Sequence, residues 1–384
     1  MIDVSTSNPF RSFWMGGFEC ADQLNAFRER VDLVKLTGHD VRLEEDYRNL
    51  KELGIATVRE GIRWSVTEQE PFQYNWSWVE NVLHTSKKLG VQVVWDICHF
   101  GFPEGLTPFN PNFPERFAAV CKAFVQKAKS ILPEEPLVVT PINEVSFLSW
   151  LGGEVCGAAP FASGMGWELK YEMMKAYILG IESMKDVDPE IRIMVTEPLV
   201  HICAGDTEDE HSVFMASQRH NEQFQVTDML CGAVCPELGG KPSYLDIIGV
   251  NFYFNNQSVL HTRETIPWGD QPPHPSWRTL NCLISEVYER YRKPVVLSET
   301  SHPGEHRPQW LQMISDECVS ILNNGIPLWG CCIYPVIDRP DWDHTHIWHK
   351  SGLWDINDTD TLERTLHPEY AEVFLRNYMG LQNR

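Results

Sequence analysis

The sequence predicts an α/β fold, a single (β/α)8 TIM barrel over residues 1–384 with its active site at the C-terminal ends of the strands. Short apolar runs recur eight times, and helical segments or long loops separate them, which is typical of a parallel sheet built from βα units. The runs are apolar almost throughout rather than alternating, as in strands that are covered on both faces. No linker or break in composition interrupts the chain, so one domain is the economical interpretation.

The eight predicted strands share an apolar centre rich in β-branched residues. They span residues 13–18, 56–60, 92–97, 137–142, 191–196, 245–251, 294–298 and 327–333. Two other segments, 201–240 and 255–278, are rich in proline, histidine and charge, and we predict loops there over the active face.

Helical signals fill the intervals between the strands. In residues 117–131 and 280–291, apolar residues recur at spacings of three and four, the pattern of a helix with one buried face. Ser77 and Glu80 have the spacing of a capping box, which predicts a helix that begins there and ends at Gly90.

Composition excludes several classes of protein. An apolar content of 43% allows a large core and disfavours disorder. The net charge of -21 repels nucleic acid and anionic membranes, and no run reaches the ~18 apolar residues of a membrane span. The N-terminus lacks the pattern of a secretory signal, and the 11 cysteines form no disulfide framework, so we expect a cytoplasmic protein with neither nucleic acid nor membrane as partner.

Two glutamates stand at strand ends, where the loops of a barrel converge on one cavity. Glu144 follows the fourth run and Glu299 the seventh. Glycoside cleavage uses two carboxyl groups, about 5–5.5 Å apart for retention of configuration and about 6.5–9.5 Å for inversion. The alternative is that either glutamate only caps a helix or pairs with an arginine.

Around these glutamates the chain resembles glycoside hydrolase family 1, the β-glucosidase family, almost from end to end. The segments that carry the resemblance share the family's order and spacing of charged, aromatic and glycine residues. They are 13–23, 45–65, 98–103, 143–160, 249–253, 297–299 and 334–342. The resemblance implies a retaining β-glycosidase with Glu144 as proton donor and Glu299 as nucleophile. The chain departs from the family in being shorter.

The resemblance also implies roles for residues near the two glutamates. Arg59 and Tyr253 match the residues that support and orient the nucleophile. His99 and Asn143 match residues that bind the sugar, with Asn143 on its 2-hydroxyl group. From the residues alone, Arg59 could be an ordinary ion pair, His99 structural and Tyr253 a core aromatic.

The resemblance further implies that residues at the first and last strands complete the sugar site. Gln23 matches the glutamine that binds the 3- and 4-hydroxyls, and Trp342 matches a family tryptophan. Tyr334 replaces the tryptophan beneath the sugar ring. Asp341 replaces the glutamate that binds the 4- and 6-hydroxyls, and it is one methylene shorter. Aromatic faces with carboxylates and amides suit a neutral carbohydrate substrate.

Three hypotheses of function follow. The first is a retaining β-glycosidase that hydrolyses a terminal β-linked sugar from a small glycoside or oligosaccharide. The second is a transglycosylase on the same scaffold, and the third is a barrel that binds carbohydrate without cleaving it. We expect no cofactor, since no glycine-rich phosphate loop occurs, and no metal, since His344, His346 and His349 are irregularly spaced. The oligomeric state is left open, with a homo-oligomer as one option.

Overall fold

The structure is a computed structural model, and it describes residues 7–382. Within them, eight parallel strands close into a barrel in chain order, the last strand pairing with the first. The strands are β1 (Trp14–Gly17), β2 (Thr57–Gly61), β3 (Gln92–Cys98), β4 (Val138–Ile142), β5 (Arg192–Pro198), β6 (Ile247–Asn251), β7 (Val295–Thr300) and β8 (Leu328–Ile333). Each overlaps one predicted run, so the predicted (β/α)8 barrel is confirmed.

At least one helix follows every strand. The longer helices are α1 (His39–Glu52), α2 (Ser77–Leu89), α3 (Phe113–Ile131), α4 (Gly166–Lys185), α5 (Glu210–Asn221), α6 (Gln225–Leu230), α7 (Leu280–Tyr291), α8 (Arg307–Asn323) and α9 (Pro368–Gln382). Single turns of helix occur at Leu33–Leu36, Trp64–Thr67, Val145–Leu148, Ser149–Glu154, Glu222–Phe224, Pro236–Leu238, Pro242–Tyr244 and Gly304–His306.

Three two-stranded sheets lie outside the barrel. They pair Glu68–Glu70 with Gln73–Tyr74, His201–Cys203 with Gln257–Val259, and Trp354–Ile356 with Arg364–Leu366. The prediction of a loop over residues 201–240 is therefore wrong, because this segment holds a strand, α5 and α6. Helix α6 forms because most of its residues are buried. The polar residues on either side of it in the sequence do not indicate this burial.

The start of α2 also differs from the prediction. Ser77 is the first helical residue and Trp76 the cap, with no side-chain hydrogen bond to the cap. The backbone N–H of Ser77 donates instead to Oδ1 of Asn75 at 3.1 Å, and Glu80 forms an ion pair with Lys127. The capping box is thus wrong, because Glu80 finds a stronger partner on α3. The end of the helix at Gly90, with φ of 68°, is confirmed.

A plug of buried side chains fills the barrel interior. Its members come from seven of the strands and the turn after β8, and they are Met15, Val94, Val138, Met194, Ile247, Val296, Cys332 and Tyr334. A second, larger apolar cluster lies mainly between the strands and the surrounding helices. Because the plug closes the interior, we expect a ligand to bind at the C-terminal ends of the strands, where the loops of a barrel converge.

The two ends of the described chain meet at the opposite end of the barrel. Trp14 of β1 pairs with Cys331 of β8, and the N–H of Phe13 donates to Oε1 of Gln382 at 2.9 Å. Among residues 7–382, no helix is both long and apolar enough to cross a lipid bilayer.

Candidate active site

Both predicted glutamates lie at the C-terminal ends of their strands. Glu299 is the penultimate residue of β7, and Glu144 comes two residues after β4. Glu144 has a left-handed backbone with φ of 46° and ψ of 57°, an unfavourable conformation for a non-glycine residue. Its N–H donates to the carbonyl oxygen of Thr196 on β5 at 2.9 Å, which fixes the turn to the barrel rim.

Two donors hold the carboxylate of Glu299. Nη1 of Arg59 donates to Oε1 at 2.6 Å, and the hydroxyl of Tyr253 donates to Oε2 at 2.8 Å. The side chain is buried, so little solvent competes with these bonds. A guanidinium and a hydroxyl that converge on one carboxylate stabilise its negative charge.

The environment of Glu144 favours the neutral carboxyl group over the carboxylate. Nδ2 of Asn251 donates a hydrogen bond to its Oε1 at 2.9 Å, and no cationic side chain of the described residues forms an ion pair with it. Burial raises the pKa of Glu144 to about 8, and the negative charge of Glu299 contributes to the increase. The structure thus brings two carboxyl groups close enough to interact, and this interaction favours the protonated form of Glu144.

Arg59 donates hydrogen bonds to three side chains of the site. Its Nε donates to Oδ1 of Asp96 at 3.0 Å and its Nη2 donates to Oδ1 of Asn143 at 2.7 Å, besides the bond to Glu299. Asn143 also accepts a hydrogen bond from Thr196 at 2.9 Å. Arg59 therefore connects strands β2, β3 and β7 with the turn that carries Glu144.

The predicted sugar-binding residues His99, Asn143 and Tyr334 lie together. The rings of His99 and Tyr334 are parallel, with centroids 5.8 Å apart. Nδ1 of His99 lies 2.8 Å from Oδ2 of Asp96, and its Nε2 lies 3.3 Å from Nδ2 of Asn143. The guanidinium of Arg59 lies 5.2 Å from the centre of the Tyr334 ring, so these three residues lie next to Arg59.

Gln23 and Trp342 each bury a polar atom that no other described residue satisfies. These atoms are Oε1 of Gln23, an acceptor, and Nε1 of Trp342, a donor. The Trp342 ring contacts Phe100 and Phe147, at centroid distances of 5.4 Å and 6.1 Å. Unpaired buried polar atoms are rare in proteins, and a bound ligand or water commonly satisfies them.

The carboxylate of Asp341 is hydrogen-bonded to residues of its own loop. Its Oδ1 accepts hydrogen bonds from the N–H groups of Asp343 and His344, at 3.0 Å and 2.8 Å, and its Oδ2 lies 3.2 Å from Nε2 of His349. Burial opposes the charge of Asp341, but the bonds from His344 and His349 outweigh it and lower its pKa to about 2. The contact of Asp341 with a sugar remains a prediction.

Asp96 and Asn251 also belong to the candidate site, although neither was among the predicted site residues. Asp96 binds both Arg59 and His99, and Asn251 binds Glu144. A signal for Asp96 was available, because it is the only charged residue in the apolar run 92–97. Asn251 ends the sixth run as Asn143 follows the fourth, and the same strand-end argument applies to it.

Glu19 was also missed. Its carboxylate lies 3.1 Å from Nε of Arg339 and 3.7 Å from Nε2 of His99, and it accepts a 3.5 Å bond from the hydroxyl of Tyr334. It follows β1 in an apolar stretch, so its charge was the available signal. Glu19 thus places a further buried carboxylate beside the predicted sugar site.

One group of three potential metal ligands lies within reach of a single ion in the described chain: Cys20, Asp96 and His99. Asp96 and His99 are already hydrogen-bonded to each other. The guanidinium of Arg59 lies 2.8 Å from Asp96, and its positive charge disfavours a cation there. These contacts therefore disfavour a metal centre at the three residues.

Comparisons with known proteins give matches in structure only. The sequence matches no family model and no curated protein. A family 1 β-glucosidase from Thermotoga maritima with isofagomine lactam matches at a TM-score of 0.74 and 14% identity, over 89% of this chain and 88% of that one. The virulence factor SghA with its substrate analogue salicin matches at 0.73 and 15%, over 97% and 96%.

A third match is the AHE enzyme from Alicyclobacillus herbarius, at a TM-score of 0.72 and 15% identity, over 90% of this chain and 87% of that one. The likeness spans the whole barrel in all three, although few residues are identical. In its fold, this chain is similar to β-glucosidases of glycoside hydrolase family 1.

Proposed function

We propose that this chain is a retaining β-glycosidase that releases a terminal β-linked sugar from a small glycoside or oligosaccharide by double displacement. The observation that carries the proposal is the contrast between Glu144 and Glu299. Burial raises the pKa of Glu144 to about 8, whereas Arg59 and Tyr253 stabilise the negative charge of Glu299. One acid and one nucleophile are what double displacement requires.

In the first step, the Glu299 carboxylate attacks the anomeric carbon and forms an ester bond to the sugar. The bond from this carbon to the leaving oxygen breaks, and Glu144 gives its proton to that oxygen. Loss of this proton leaves Glu144 as a carboxylate. The bond from Asn251 to Glu144 stabilises that form.

In the second step, Glu144 accepts a proton from water as the water oxygen attacks the anomeric carbon. The ester bond breaks, Glu299 regains its negative charge, and the sugar leaves with retained configuration. Arg59 and Tyr253 stabilise the released carboxylate. The cycle therefore returns both residues to their starting states without a cofactor.

A pyranose satisfies the unpaired atoms of Gln23 and Trp342. A sugar hydroxyl donates to Oε1 of Gln23, and a hydroxyl oxygen accepts from Nε1 of Trp342. His99 and Asn143 supply further polar atoms, and the Tyr334 ring supplies an aromatic surface. These groups support a neutral sugar as substrate.

Aromatic rings continue beyond the sugar site towards solvent. Phe147 lies on the turn directly after Glu144, and its ring contacts Trp342 on one side and Trp150 on the other. Trp150 is 41% exposed. Since the leaving group must lie beside the proton donor, we propose that its apolar surface packs on Phe147 and Trp150. Aryl glycosides such as salicin are therefore the first substrates to assay.

A 2-fluoro aryl glycoside tests the proposal directly, because the fluorine slows hydrolysis of the glycosyl-enzyme more than its formation. We expect one label per chain on Glu299, found by peptide mass spectrometry, and no label on Glu299→Gln. Product analysis in water and in the presence of an alcohol separates hydrolysis from transfer. Full turnover by Glu299→Gln, or a label at another residue, would contradict the proposal.

The compartment is also a proposal. All 11 cysteines lie within the described residues and are free thiols. Unpaired cysteines are typical of a reducing environment, and this supports the cytoplasm.

A further inference from the structure

A third buried carboxylate, Glu197, lies behind the proton donor. It is the residue after Thr196 in β5, and its side chain is only 6% exposed. The N–H of Ser146 donates to its two oxygens, at 3.1 Å to Oε2 and 3.4 Å to Oε1. The N–H of Val145 contributes a second backbone hydrogen bond. The proposed catalytic steps do not use Glu197.

These bonds hold the segment that carries Glu144. The N–H of Glu144 is bound to the carbonyl of Thr196, and the next two N–H groups are bound to Glu197, so consecutive residues of β5 anchor three consecutive residues of the turn. Glu144 has a left-handed backbone, and such a conformation persists only where the surroundings enforce it. The hydrogen bonds to Glu197 provide part of the contacts that hold this conformation.

We propose that Glu197 is a positioning residue for the proton donor: its carboxylate fixes the backbone after Glu144 and places a negative charge behind that side chain. This inference rests on the proposed role of Glu144. It adds to that role because the acid is then held by the end of β5 as well as by its own strand.

The charges around both residues support the inference. Lys170 and Tyr177 of α4 face Glu197, and Nζ of Lys170 donates to Gln225 at 2.7 Å. Burial raises the pKa of Glu197 to about 7, although the bonds from Ser146 and the charge of Lys170 oppose the increase.

Glu144 itself faces Glu299, His99 and Glu197, and the charge of Glu197 raises the pKa of Glu144. Removal of that charge would lower the pKa of Glu144, and it would leave Lys170 with Glu222 as its remaining negative neighbour. Both effects would make Glu144 lose its proton more easily.

Two substitutions separate support of the backbone from the effect of charge. Glu197→Gln keeps an acceptor oxygen for Ser146 but removes the charge. Glu197→Ala removes both. The control is Glu60→Gln, since Glu60 is a fully buried carboxylate on β2 that is bound to His39 and Tyr47 and not to the turn at Glu144.

We expect Glu197→Gln to move the alkaline limb of the kcat/KM profile to lower pH by about half a unit or more. Glu197→Ala should in addition lower kcat for glycosides with poor leaving groups roughly tenfold or more, with little change in KM. Glu60→Gln should leave the profile in place. An unmoved limb in Glu197→Gln, or an equal shift in the control, would overturn the inference.

A second measurement does not depend on turnover. Carbon-13 NMR of glutamate carboxyl groups follows the titration of Glu144, with the signal assigned by its loss in Glu144→Gln. We expect the pKa of Glu144 to fall in Glu197→Gln and to stay unchanged in Glu60→Gln. If the wild-type chain cleaves no glycoside, the proposed function fails, while this titration still decides whether Glu197 acts on Glu144.

Discussion

The guanidinium of Arg59 and the carboxylate of Glu299 form a buried ion pair, with Nη1 and Oε1 2.6 Å apart. The same guanidinium lies 2.8 Å from Oδ2 of Asp96, so it contacts two buried carboxylates. Removal of one partner from a buried pair leaves an uncompensated charge, which costs more than the loss of a surface pair.

Arg59→Met should therefore lower the free energy of unfolding by about 3–5 kcal/mol. Urea denaturation followed by fluorescence measures the change. The control is Arg48→Met, which breaks an exposed pair with Glu44 and should cost at most about 1 kcal/mol. Equal losses in the two variants would contradict the ion pair as a stabilising contact.

Tyr253→Phe removes one of the two donors to Glu299 and leaves the ring in place. A hydrogen bond to a charged group contributes about 1.5–3 kcal/mol, so we expect kcat/KM to fall by roughly ten- to 150-fold. Steady-state kinetics with an aryl β-glycoside measures the decrease. Tyr171→Phe, which removes an exposed hydroxyl bonded to Glu237, serves as the control and should leave kcat/KM unchanged.

Glu144→Ala should separate substrates by their leaving groups. Glycosides with poor leaving groups need the proton and should lose about 10²–10⁴-fold in rate, whereas dinitrophenyl glycosides should be affected much less in the first step. Azide attacks without proton transfer, so it should restore release of the sugar as a glycosyl azide. Equal losses for both classes of substrate would remove Glu144 as the acid.

The rate should fall on the alkaline side as Glu144 loses its proton. Because its pKa is raised to about 8, kcat/KM should be maximal below that pH and decline above it. A profile from pH 5 to 10 with a neutral aryl glycoside measures this limb. A decline centred near the ordinary pKa of a glutamate, about 4.3, would contradict a protonated Glu144 at neutral pH.

His39 should make stability depend on pH. Burial lowers its pKa, but Glu60 and Asp46, at 2.9 Å and 2.7 Å, outweigh burial and raise it to about 9. The stabilisation is complete below the unfolded pKa of about 6.5 and is lost as the pH rises through about 9, a change of about 3 kcal/mol.

Denaturation midpoints at several pH values between 6 and 10 test this dependence. His39→Gln should remove most of the decrease, while His84→Gln, at an exposed position of α2, should keep it. A decrease of the same size in the wild type and in His39→Gln would assign the dependence to other groups.

Strand-end residues were the predictable part of the site. The apolar runs revealed where each strand stops, and in a barrel all such positions share one cavity, so Glu144 and Glu299 followed from the sequence. Contacts between strands were harder to predict. Arg59 pairs in register with Val94, yet its side chain reaches Asp96, two residues further along β3. That offset depends on strand tilt, which a linear pattern does not contain.

Glu197 and α5 were missed for related reasons. Glu197 lies one residue beyond the predicted fifth run, and its partners on the turn at Ser146 are 51 positions away. Helix α5 buries only Ala216 and His220, so it has no apolar stripe that could have identified it.

The meeting of Phe13 and Gln382 beneath the barrel has a practical consequence. A tether attached beside Phe13 or Gln382 would start from the side of the barrel remote from Glu144 and Glu299. Protein immobilised through a side chain introduced beside Phe13 or Gln382 should therefore present the C-terminal ends of the barrel strands to the solution.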